Sequence, residues 1–318
     1  SVATSAGGNV LVGPVLTPPA KLQTTGAINF TGVTGNVTVA NGGTIVAPGG
    51  ATVASGKRIQ WSLASSADTG AGSLRSILTS INSLKAPAQI TVTGPSTVAL
   101  GSPLPSVTVP LAVVGNGQLT LNGAAAGAST SGFVFGAAAA GSSVAGVTLQ
   151  NFGYSGVLIQ GATNVTVSSI TVSNSLYGVY AAGAVGGSSV VSSVFSGNTQ
   201  AAYLNGAQGM RFGRAGQGNS ITSAARTTAG ITIAGVSTGT FVQGNGISGT
   251  PTAIFISAAT GLQVGGAVSG EANTVSFAGT GVFATGLCTG SSVIKTSFGP
   301  AVTTRYNTGG ARNLTVIP

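Results

Sequence analysis

The stretch GVLIQGATNVTVSSITVSN (residues 156–174) decides the fold. Its apolar residues fall at Val157, Ile159, Val165, Val167, Ile170 and Val172, alternating with small or polar ones around tight turns. Alternation at period two marks strands with one face turned inward. β-Branched residues dominate and glycine interrupts every few positions, and both disfavour a helix. The stretch reads as strand, small-residue turn, strand, turn, strand.

The same order recurs outward from it, in FVFGA (133–137), GVYAAGAVGGSSVVSSVFSGN (178–198), AAYLNGAQGMRFG (201–213), GITIAGVSTGTFVQGNGIS (230–248), AIFISAATGLQVGG (253–266) and GVFATGLCTGSSVIKTSFG (281–299). Aligning the first core residue of each unit gives Val157, Val179, Ala202, Ile231, Ile254, Val282 and Val302, in steps of 22, 23, 29, 23, 28 and 20. A coil of three short strands cannot bury its apolar side alone. It must stack on similar coils, giving an all-β solenoid with parallel ladders. Two long steps hold FGRAGQGNSI (212–221) and VGGAVSGEANTV (264–275), equivalent enlarged turns that should leave the solenoid at one corner. Upstream, QITVTG (89–94), VTVPLAVVG (107–115) and LTLNG (119–123) add further coils. About ten coils are expected, a rod on the order of 50 Å long at about 4.8 Å per coil.

The rhythm breaks at ADTGAGSLRSILTSINSL (67–84), where Leu74, Ile77, Leu78, Ile81 and Leu84 have helical spacing. Asp68 and Ser73 are its candidate structural caps, and Lys85–Ala86–Pro87 stops it. A solenoid end exposes apolar core and unpaired strand edges, so this helix is expected to lie across the open end. The chain then divides into an N-terminal extended arm and small β region (1–66), the capping segment (67–86), the parallel β-helix (87–310) and a strand-like tail (311–318). Residues 27–56 alternate apolar and small polar positions, which makes Ile28, Phe30, Val37 and Val39 candidate assembly strands. Leu314 and Val316 of the tail are the others.

Composition narrows the chemistry. Asp68 and Glu271 are the only acidic side chains among 318 residues, and histidine is absent. Hydrolytic, lyase and metal chemistry draw mostly on carboxylates and imidazoles, so a non-enzymatic protein without cofactor or metal is expected. A paired-carboxylate glycosidase would need those two acids within a few ångströms. The better readings are a turn or cap for Asp68, and for Glu271 an ion pair with Arg214 on the matching enlarged turn. Eleven Lys and Arg give a net charge of +9, but the cations are scattered rather than clustered, which speaks against nucleic acid and for an acidic surface polysaccharide. Arg211, Arg214 and Arg226 are the one close group and the candidate anion contact, since guanidinium suits carboxylate and phosphate. Tyr154, Tyr177, Tyr180 and Tyr203 recur near coil starts, where stacking along the solenoid accounts for them and a sugar-binding stripe is the alternative. Cys288 has no partner for a disulfide within the chain; it reads as a buried thiol, with a link between subunits as the alternative. No apolar stretch is long enough to span a membrane. The start at Ser1 without a leader fits a processed, exported protein.

ADTGAGSLRSILTSINS (67–83) resembles the D-S-G-x-G-S-L-R-x-A-I segment that opens many secreted bacterial right-handed parallel β-helix proteins. ITVTG (90–94) and LPSVTVPLAVVGNGQLTLNG (104–123) are similar to the residues after that segment in the same family. GNSITSAARTTAGITIAGVSTGTFVQGNGISGT (218–250) resembles the family's G-N-x-I-S-x-N…G-I-x-I-x-G repeats, and the family's fold is pectate-lyase-like. The resemblance spans about residues 62–305. It implies a secreted or cell-surface, adhesin-like protein with a right-handed β-helix. The expected function is a structural subunit that polymerises head to tail with copies of itself through its terminal strands. The alternative is a monomeric or anchored adhesin that binds glycan on a lateral face.

Overall fold

The computed structural model describes residues 2–4, 10–12, 21–33, 36–39, 42–222 and 229–318. Its strands form a parallel β-helix of about 12 turns, slightly more than the ten expected. One face of the helix runs through almost its whole length. Strand Val10–Val12 pairs with Val37–Val39, then Ile59–Ser62, then Ala88–Thr91. From there the ladder passes through 111–114, 143–145, Thr166–Ser168, Ser189–Val191, Arg211–Phe212, Phe241–Val242, Gln263–Gly265, 292–294 and 315–317. Twelve steps at about 4.8 Å make a rod of about 58 Å.

The alternation seen in the sequence places one buried column along this face. Val39, Trp61, Ile90, Val113, Val144, Val167, Val190, Phe212, Val242, Val264 and Val293 stand in register, each buried. A second face starts at Ser96–Ala99 and stacks Val98, Leu121, Leu149, Val172, Phe195, Ile221, Ile247 and Val275. The third carries Phe133, Val157, Val179, Ala202, Ile231, Ile254 and Val282. Val282 pairs with Tyr306, and Val302 belongs opposite Ala278, so the final step is four residues longer than the spacing of apolar residues suggested. Burying a column of aliphatic side chains yields roughly 1.5–3 kcal/mol per residue before chain entropy is counted.

Polar groups at the corners are satisfied in the same repeating manner. The Asn219 side-chain amide donates to Asn245 Oδ1 and that of Asn245 to Asn273 Oδ1, both at 3.0 Å, and all three are buried. Asn219 and Asn273 close the two enlarged turns, which therefore leave the solenoid at one corner. Gly244 lies between those turns at φ +69°, where a side chain would meet Arg214 O at 2.6 Å and Gly270 O at 2.9 Å.

The helix spans Leu74–Leu84 and buries the five apolar residues that announce it. Ser73 caps it, accepting a hydrogen bond from Ser76 N at 3.2 Å, and Lys85 ends it in the left-handed conformation at φ 53°. It does not lie across an open end. Strands Ile59–Ser62 and Ala88–Thr91 on either side of it pair with one another, so the helix is the remainder of a single interior coil. On one side, Gly50 sits against Leu84 O; on the other, Asn82 donates to Ser106 O at 2.7 Å and accepts from Thr108 N at 3.0 Å. The geometry explains why this works. A helix is about 10 Å across, the height of two coils. It replaces the strands of one coil and lies between Thr44–Val46, on which it packs, and the loop 102–108, to which Arg75 and Asn82 bond.

The division at residue 66 therefore fails. Ile28 pairs with Ala51 and Phe30 with Val53, while Val37 and Val39 belong to the continuous first face. These four residues are engaged inside the chain and not held in a free arm. Residues 5–9 and 13–20 of the expected arm lie outside the described residues. Nor is 311–318 a separate tail. Leu314 pairs with Ser291 and Val316 with Val293, as part of the last coil.

Candidate functional site

The two acids are tied into the scaffold far apart. Asp68 Oδ1 accepts from Arg75 at 2.6 Å, and its Oδ2 from Gly101 N at 3.1 Å, so it anchors the loop before the helix to the next coil, while Ser73 alone serves as the cap. Arg75 also donates to Ser102 O at 2.8 Å. Glu271 does not pair with Arg214. Its carboxylate accepts from Val268 N at 3.3 Å within its own turn, and the Arg214 guanidinium is taken by Gln217. A backbone amide and a side-chain amide, each three residues away, hold these groups in place of a charge on the neighbouring turn. Asp68 lies beside the coil of Ser96–Ala99 and Glu271 beside Thr274, seven steps along the second face. That is roughly 34 Å at about 4.8 Å per step, far beyond the reach of a glycosidase pair.

The cation group is dispersed among separate partners. The Arg211 guanidinium lies 4.1 Å from the centroid of the Phe241 ring, one coil along the first face. Arg226 lies outside the described residues. Among the described residues no three His, Cys, Asp or Glu side chains gather as a metal site. Cys288 is fully buried, its thiol 3.7 Å from Thr285 O, and burial pushes its pKa up.

Sequence reasoning missed Arg58. It donates to Ala88 O at 3.2 Å, Pro110 O at 3.0 Å and Gly141 O at 3.3 Å, fastening carbonyls of three successive coils. Burial pulls its pKa below the usual arginine value.

The outer side of the third face carries the most distinctive surface. Leu158, Tyr180, Tyr203, Thr232, Phe255, Phe283 and Asn307 stand in register, pointing away from the core. Tyr180 and Tyr203 stack with centroids 5.3 Å apart and planes 25° from parallel. Phe255 and Phe283 repeat this at 5.4 Å and 26°. Tyr177 packs on Tyr203 at 5.1 Å, and Tyr154 on Tyr180 at 5.3 Å. Burial, then the neighbouring phenols Tyr180, Tyr177 and Tyr203, push the Tyr154 pKa up to about 12. Between Tyr203 and Phe255 the stack is interrupted by Thr232, and a cleft of about 510 Å³ opens there, lined also by Gln200, Thr252 and Phe283.

The last coil is the other unusual surface. Strand Ser297–Ile317 pairs along its length with Thr274–Ile294 and, among the described residues, with nothing on its outer edge. Phe298, Tyr306, Leu314 and Val316 point toward the core but are only partly covered, and Ile317 is exposed.

No family model matches the chain, and no curated protein sequence does. The site must be judged on its own chemistry. No helix among the described residues is long and apolar enough to cross a membrane.

Proposed function

We propose that this is a non-enzymatic, extracellular structural protein whose β-helical rods join end to end into a cell-surface filament or matrix. The observation that supports it is the last coil: a 21-residue strand with one edge unpaired among the described residues, above half-covered apolar side chains. Such an edge is a template for a strand of a second copy, which would complete the ladders and cover Phe298, Tyr306, Leu314 and Val316. In this reading the assembly contact lies at this end, because Ile28, Phe30, Val37 and Val39 are engaged within the chain. The charge of +9 suits an acidic surface polysaccharide as a further partner. A second reading, a monomeric or anchored adhesin that binds glycan on a lateral face, has the tyrosine row in its favour.

Electron microscopy of the full chain at neutral pH, beside the double variant Leu314→Lys/Val316→Lys, tests assembly. Wild-type protein should give filaments of rods joined at their ends, and the variant single rods with the same circular dichroism. Dispersed wild-type rods at high concentration would overturn self-assembly, and saturable glycan binding by those rods would establish the second reading.

A further inference from the structure

The interruption at Thr232 is specific in size. Tyr180 and Tyr203 hold successive places in one stack, and Phe255 and Phe283 hold the two places after Thr232. Tyr203 and Phe255 are thus two coils apart, about 9.6 Å. The ring pairs on both sides of the break are spaced 5.3 and 5.4 Å. One further ring fits between Tyr203 and Phe255 at the spacing the column already uses, and two do not. Tyr154, Tyr177, Tyr180 and Tyr203 pack on one another, and Tyr203 and Phe255 both line the cleft at the break.

The floor of the break supplies a second observation. Thr232 is 4% exposed, and its Oγ1 has no hydrogen-bond partner. A buried hydroxyl without a partner carries an uncompensated desolvation cost, and a ligand group that reaches it removes that cost. Thr232 Oγ1 is itself covered, and rotation of χ1 to another staggered position would turn it toward the cleft that Thr232 lines.

We infer that this cleft is a binding slot for one planar phenolic ring, stacked between Tyr203 and Phe255 with its hydroxyl on Thr232 Oγ1. A flat π-face matches the two rings, and a hydroxyl both donates and accepts as threonine requires. A pyranose can also lay its C–H faces on such rings, so the order of binding between a phenol and cellobiose decides between them. The slot lies on the side of the rod, so it is independent of contacts at the last coil.

Isothermal titration and saturation-transfer NMR on the full chain would test the slot with p-cresol, toluene, N-acetyl-tyrosine amide and cellobiose as probes. Wild-type protein should bind p-cresol more tightly than toluene. Thr232→Phe supplies the absent ring and should weaken p-cresol binding by about tenfold or more, the loss of two ring contacts. Thr232→Val keeps the shape and should remove the preference for p-cresol over toluene. Tighter binding of the tyrosine amide than of p-cresol would make the natural ring a protein side chain; the reverse order would make it a free phenolic. Unchanged p-cresol binding in Thr232→Phe, a retained preference in Thr232→Val, or tighter binding of cellobiose would each overturn the proposal. Circular dichroism and tyrosine fluorescence of both variants should match wild type, which separates lost binding from misfolding.

Discussion

The helix-bearing coil and the last coil both depart from the three-strand pattern, and they do so in opposite ways. In the first, residues 63–87 abandon two strands, yet every consequence is absorbed. The helix is as thick as the two coils it separates, its Arg75 and Asn82 side chains bond to the loop of the following coil, and its five apolar residues are buried. In the last coil the strands are all present and continuous, yet their inward side chains are half-covered and one edge has no partner among the described residues. Regular secondary structure is therefore a poor guide to what is finished in a solenoid. What counts is whether a coil has neighbours on both sides.

The largest expected effect comes from placing a charge in each region. Ile77→Asp buries an unpaired carboxylate beneath the helix and should cost about 4 kcal/mol or more. Val316→Asp puts the same carboxylate on the open coil and should cost less than about 1 kcal/mol. Urea unfolding followed by circular dichroism checks both, and equal losses would erase the distinction. Arg58→Ala should cost about 2 kcal/mol, since three carbonyls lose a charged donor. Hydrogen exchange should then rise first in the coils of Ala88, Pro110 and Gly141, with the last coil unchanged.

The smallest effect is alkaline. The Tyr154 pKa is raised to about 12, and that of Tyr177 is raised as well, so both phenols stay neutral in the folded state longer than in the unfolded one. Their stabilisation is complete below the ordinary tyrosine pKa near 10 and is lost as pH rises from there through about 12. Ultraviolet titration at 295 nm should show this delay, and Tyr154→Phe should shrink it. A loosening that begins in the tyrosine coils rather than at either odd coil would show the middle of the rod yielding first.

The inward columns were legible because burial on one face imposes period two, and the residues from Val157 to Val282 follow it without a gap. The same rule failed where burial fades. Tyr306 is only partly covered, so Val302 looked like the better core residue by hydrophobicity although it belongs one strand earlier. The helix was legible from its five apolar residues, but not its place, because the pairing of Ile59 with Ala88 leaves no local trace in the residues between them. The cation–acid pair across the enlarged turns was inferred from proximity alone, and closer partners took both groups. Arg58 and the break at Thr232 were invisible for one shared reason. Each is defined by register between coils, and a sequence without register does not say which side chains face each other across a coil.

The first face also has a meaning in time. Along it, contacting residues are separated by one coil, between 22 residues from Val190 to Phe212 and 31 from Val113 to Val144. The entropy of closing each loop rises only with the logarithm of its length, so every added coil costs about the same whatever has already formed. Growth is by accretion on a finished template, at a nearly constant toll. A chain emerging from its N-terminus would lay down the helix-bearing coil early and have it ready as a foundation for the regular ones. Among the described residues the coil of Ser297–Ile317 rests on one neighbour, so it gains least from this accretion.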